Sequence, residues 1–306
     1  MTMMGYGSYK ASDWADLKKS RKLSESSPVK SVFKTNSVSS FCSVYRISPR
    51  ESRDSLTSPI AVPVIIGFDV TSSMGYLAKE LAVSQMNQTI SSLYEGNIIK
   101  YPHVMCAAVG DCKSDRYPLQ ATQFEADIRI IKQLTQLYLE GGGGGNDGES
   151  YNLLWYFASR LTSTDHYEKR REKGFLITIG DDKCHRSLTR QEIRAVFGQE
   201  TEYDISNEEL VREAEKKYEL FHINIEKDDD HDYQVLADWQ RYLPGRITVI
   251  RKKDIACLSQ LIISLILTGM GASPKEALAG LPQQAAKCLS RSLAMIKTEK
   301  ADKLVF

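Results

Sequence analysis

The segment Asp69-Val70-Thr71-Ser72-Ser73-Met74-Gly75 sets a carboxylate and two hydroxyls at every second position, so Thr71 and Ser73 can point the same way while Ser72 points elsewhere. Oxygen donors with few carboxylates suit a hard cation. Mg²⁺ favours six oxygens and keeps several waters, with Mn²⁺ and Ca²⁺ as alternatives. Two further oxygen-rich loops follow, Gly144-Gly145-Asn146-Asp147-Gly148-Glu149-Ser150 and Ile179-Gly180-Asp181-Asp182-Lys183-Cys184-His185. Simpler readings stand beside these. Ser72 or Ser73 can cap a following helix, and Asp147 and Glu149 can favour a helix N-terminus, the preferred reading for Glu149. The run Gly141–Gly145 is either a flexible connector or a place where backbone approaches closely.

Other chemistries fit less well. Cys112, Cys184 and His185 have donor types that zinc accepts, but an adjacent Cys-His pair is not a usual ligand spacing. The glycine run has no Gly-Lys-Ser/Thr after it and does not open a first βα turn, which excludes a phosphate loop and a dinucleotide fingerprint. A GxSxG elbow is missing. Aspartyl-phosphate phosphatases need a second Asp at the position of Thr71. A metal-assisted hydrolase using Asp181, Asp182 and His185 remains as an alternative.

The elements that must hold these loops alternate strand and helix. Val62–Phe68 is a continuous run of the kind buried on both faces. A helix is expected over 74–94 and a strand over His103–Val109. Leu119–Phe124 reads as a short edge strand, followed by helices over Asp127–Leu139 and Glu149–Leu161. Gly174–Ile179 is the next strand, followed by helices over 189–197 and 206–218. The strand Leu220–Ile225, a helix near 232–241, the strand Arg246–Ile250 and a helix near 254–268 complete the body. Six strands in this alternation imply one α/β domain, a doubly wound and mostly parallel sheet between helices, with function at the carboxyl ends of the strands. The expected organisation is a basic, Ser-rich N-terminal arm over 1–60, extended or partly disordered, then the domain over 61–270. A partly helical C-terminal extension occupies 271–306.

In this setting DVTSSMG after a buried strand resembles the DxSxS element of the metal-ion-dependent adhesion site of von Willebrand factor A domains. The order of DxTxSM, a Gly-rich segment with Asp and Glu, and IGDxxxH is similar to a hemicentin-like, alpha-kinase-associated branch. The resemblance covers about residues 62–268. It implies a Rossmann-like fold and metal ligands at Asp69, Thr71 and Ser73. Asp147 stands where many members have Thr, and Asp181 matches the final Asp, which often acts through water. Asp182 is an alternative to Asp181, and Asp111 resembles an Asp of that branch with no assigned role. The implied function is a Mg²⁺-dependent protein-interaction module, not an enzyme, whose cation takes a partner's Asp or Glu within a multiprotein complex. Implied partners include a MoxR-type AAA+ ATPase, a kinase or a phosphatase in an intracellular bacterial or phage system. A further alternative is an assembly subunit that docks through its arm.

Composition sets the remaining bounds. The 306 residues have a net charge of +1. Residues 1–60 carry ten Lys/Arg against five Asp/Glu, and residues 271–306 carry six against three, so the body between is acidic. A basic tail has the charge to meet nucleic acid, an anionic surface, an acidic partner or its own body; nucleic acid is the less favoured of these. Six cysteines without CxxC spacing and no apolar leader point to reduced thiols and a cytoplasmic setting. Ile255–Ser273 is uncharged and apolar, but its compact part is short, so a buried helix is expected rather than a membrane anchor.

Overall fold

A computed structural model describes residues 28–33, 35–71, 74–95, 98–139, 148–227 and 230–297. Its centre is a sheet of β1 (Val62–Asp69), β2 (Pro102–Val109), β3 (Leu119–Ala121), β4 (Gly174–Gly180), β5 (Tyr218–Glu226) and β6 (Ile247–Arg251). The order across the sheet is β6-β5-β4-β1-β2-β3, and only β3, at the edge, runs antiparallel. This is the doubly wound arrangement expected from the sequence, with its reversal of winding between β1 and β4.

Alternation within the strands produces two cores. Val64, Ile66 and Phe68 pack with α1 (Gly75–Glu80), α2 (Met86–Glu95), α3 (Arg129–Leu134) and the late helices. Ile65 lies in the opposite core, with α4 (Asn152–Arg160), α5 (Arg190–Phe197), α6 (Asn207–Ala214) and α7 (Asp230–Tyr242). Gly67 faces that same side, where a Cβ would collide with the Leu154 side chain. The glycine lets α4 lie close against β1.

The expected helix over 74–94 is present but is interrupted by a π-helical turn, Leu81–Gln85. Gln85 is buried there, and its Oε1 accepts a hydrogen bond from Ser259 N at 3.0 Å. The helix expected over 127–139 shortens to α3. The stretch expected near 254–268 divides into a 3₁₀ segment, Lys252–Cys257, and α8 (Leu258–Gly269), whose apolar side chains are buried. No helix among the described residues is long and apolar enough to cross a membrane.

The flanking segments lie against this body. Val32, Phe33, Cys42 and Val44 are buried. Arg50 reaches into the body and donates to the carbonyls of Phe41 and Ser43. Arg50–Ser52 pairs in parallel with Thr162–Thr164. At the other end, α9 (Pro274–Ala279) starts with a Ser273–Glu276 capping box, and α10 (Gln283–Ala294) packs beside β6. Leu289, Leu293 and Ile296 enter the first core. Thr248 donates to the Ser292 carbonyl at 2.6 Å, and Arg291 forms a two-pronged ion pair with Glu226.

Candidate functional site

Register brings the loops to one level. Asp69 pairs with Val109, and Phe68 pairs with Ile179, so β1, β2 and β4 end together at the reversal point. Three backbone hydrogen bonds then join the loops that follow. Glu149 N donates to Lys183 O at 2.8 Å, His185 N to Glu149 O at 3.1 Å, and Ser150 N to Gly110 O at 3.2 Å. The segment that enters α4 is thereby stitched to the loops after β2 and β4.

Asp69 is completely buried. Its Oδ1 accepts from Thr71 N and Thr71 Oγ1, each at 2.7 Å, and its Oδ2 accepts from the Tyr151 hydroxyl at 3.2 Å. Asp181, also buried, holds Lys227 Nζ at 3.2 Å. Burial, and next the charge of Asp181, push the Asp69 carboxyl up to about 7. Glu149 is pushed up to about 9, first by burial and then by Asp69 and Asp111. Its Oε2 is buried and has no hydrogen-bond partner among the described residues. Tyr76 is raised to about 12 by burial and by the same two aspartates, Asp181 and Asp69.

Asp111 lies slightly apart in a polar network. Its Oδ1 accepts from His185 Nε2 at 2.7 Å and from Ser150 Oγ at 3.2 Å. Lys113 Nζ sits 3.2 Å from His185 Nδ1. An ammonium only donates, so Nδ1 accepts and Nε2 carries the proton shared with Asp111. Asp182 Oδ1 accepts from Lys183 N at 2.7 Å, and its carbonyl accepts from Trp239 Nε1 at 3.0 Å.

Of the expected ligands, Asp69, Thr71 and Asp181 come together, with Asp111 and Asp182 nearby. Ser73 and Asp147 lie outside the described residues, as does the whole run Gly141–Gly145. Glu149 departs from its preferred reading. Helix α4 starts three residues later, has no acidic residue in its first turn, and leaves Glu149 facing other carboxylates. The N-cap of α1 is Met74, without a side-chain cap. The zinc alternative lacks a presented donor set: both His185 nitrogens are engaged, and burial holds the Cys112 and Cys184 thiols well above their usual range. No group of three or more His, Cys, Asp or Glu among the described residues is arranged to hold a metal. A cation here therefore has to rely on hydroxyls and water beside the Asp69 and Asp181 carboxylates. The donor chemistry, all oxygen and rich in carboxyl groups, fits a hard divalent ion.

Two contributors were not singled out from sequence. Tyr151 follows the second loop directly, and its hydroxyl fills the space opposite Gly180, where a Cβ would strike it. Lys227 follows β5 at the same carboxyl edge as the three loops, a position that signals a functional role in this fold.

Fold and site together define a doubly wound α/β protein with an acid-lined carboxyl edge. No protein-family model matches the chain, and no curated protein matches it. Among solved structures it is similar to the pilus adhesin SpaC of Lactobacillus rhamnosus GG in the open conformation, at 10% identity and a TM-score of 0.46. That match covers 68% of this chain and only 30% of the adhesin. The vWF domain of the pilus tip protein Mfa5 of Porphyromonas gingivalis matches at 10% identity and a TM-score of 0.44, over 70% of this chain and 97% of that one. BatB of Bacteroides thetaiotaomicron matches at 12% identity and a TM-score of 0.41, over 69% and 100%.

Proposed function

We propose that this protein is a metal-dependent interaction module that takes a divalent cation at the carboxyl ends of β1 and β4, and through it a partner's Asp or Glu. The observation that carries this reading is the convergence of buried Asp69, Asp181 and Glu149 at the winding reversal, with Asp69 and Glu149 holding protons far above the usual carboxylate range. Like charges out of water are costly. A bound dication relieves that cost, and the oxygen-only donor set selects a hard one. Asp69 and Asp181 supply carboxylates and Thr71 a hydroxyl, with Ser73 and Asp147 completing the set by resemblance. Tyr151 holds Asp69 in place.

By the same resemblance, the position left open on the dication takes an outside carboxylate. The hydrolase alternative is less favoured: both ring nitrogens of His185, one of its three residues, already bond to Asp111 and Lys113. Thermal unfolding tests the reading. Mg²⁺ or Mn²⁺ should raise the melting temperature of the wild type over that in EDTA, by mass action on the folded state, and should not do so for Asp69→Ala. An unchanged wild-type melting temperature at millimolar cation contradicts it.

A further inference from the structure

Beside the acidic edge opens a cleft of ≈ 680 Å³ with the opposite charge character. Lys113, Lys183, Arg186 and Arg241 line it. Two acids, Glu192 and Asp238, also face it, so two of the four cations are in excess. Glu192 Oε2 accepts from Thr189 N and Oγ1, each at 2.8 Å, as the capping box of α5. Asp238 lies 3.9 Å from Arg241.

The cations are set on a held frame. The His185 carbonyl accepts from both Asn152 Nδ2 and Asn207 Nδ2, at 3.2 and 2.6 Å. The Arg186 carbonyl accepts from Asn207 N at 3.2 Å. Lys113 is steadied by His185, whose ring is itself fixed by Asp111. Along α7, Gln234, Ala237, Asp238 and Arg241 fall on one helical face, which forms the far wall.

We propose that this cleft is an anion site for the phosphate ester of a small polyol. Guanidinium forks pair with phosphate oxygens in a two-pronged manner, and ammonium groups add charge. The volume falls within the range of small-molecule sites, roughly 300–1,000 Å³, larger than one phosphate needs. The described lining contains no Phe, Tyr or Trp to stack on a nucleobase, and its polar character suits hydroxyls. The site does not depend on the cation reading, since none of its four cations is a proposed metal ligand.

Calorimetric titration of the full chain in EDTA at low salt, with pyrophosphate and with ribose 5-phosphate, tests the assignment. Both probes should bind. Arg186→Ala and Lys113→Ala should each weaken binding about tenfold or more, while Lys132→Ala, an exposed cation on α3, should leave it unchanged. Absence of heat with both probes, or an equal loss in Lys132→Ala, overturns the proposal. Adenosine monophosphate binding more tightly than ribose 5-phosphate overturns the polyol assignment. Because EDTA removes divalent ions, failure here is distinguishable from failure of the cation site.

Discussion

At the scale of single residues, the site is governed by carboxylates kept from water. Asp69 and Glu149 bind protons more tightly in the folded protein than in the unfolded chain, at about 7 and about 9 against 3.8 and 4.5. The unfolded state therefore releases these protons first as pH rises. Their contribution to stability is whole below the unfolded values and is lost as pH climbs through the folded ones. In EDTA, denaturant unfolding should show stability falling from about pH 4 to about pH 9. Glu149→Gln keeps the shape without the charge. It should flatten the upper part of that fall and exceed the wild type at its end by upward of about 1 kcal/mol, since a buried polar group without a partner costs roughly 1–3 kcal/mol and a charged one more. A flat wild-type profile would show that these groups ionise freely. That Asp69 and Thr71 meet at one place was legible because their types and spacing lie within one short segment. Glu149 was not legible, because its burial depends on a backbone bridge to Lys183 and His185, far along the chain.

At the scale of elements, close approach sets the geometry. Helix α4 rests on glycines at both ends of its contact: Leu154 over Gly67 in β1, and Tyr151 against Gly180 at the end of β4. Gly180→Ala should displace the Tyr151 hydroxyl from Asp69 and cost about 1–3 kcal/mol, the usual penalty for overpacking a filled interior. Urea unfolding measures this, and an unaltered midpoint would mean that Tyr151 does not depend on the glycine. The six strands were readable because strands buried on both faces have continuous apolar runs, and their order follows the doubly wound pattern. The π-turn at Leu81–Gln85 was not readable. It depends on Gln85 meeting the start of α8, a partner far away in sequence. The 3₁₀ segment before α8 and the early end of α3 are likewise settled by packing rather than by periodicity.

At the scale of the molecule, the C-terminal helices complete the body. Helix α10 and the turn after it lie beside edge strand β6 and place Leu289, Leu293 and Ile296 in the core. Deleting residues 272–306 should remove upward of about 4 kcal/mol, since each buried aliphatic side chain contributes about 1.5–3 kcal/mol. Thermal unfolding and the soluble yield read this out, and a deletion as stable as the full chain would show that the helices only rest on the surface. The whole fold thus brings two charge environments side by side, an acidic edge between β1 and β4 and a basic cleft against α7. Calorimetric titration with Mn²⁺ reads out whether the acidic edge takes a cation. The wild type should bind one ion per chain near neutral pH, and Asp69→Ala, folded by circular dichroism, should bind none. A wild type that takes up no Mn²⁺, or an Asp69→Ala variant that binds it equally well, would mean that the acidic edge around Asp69 is not a cation site.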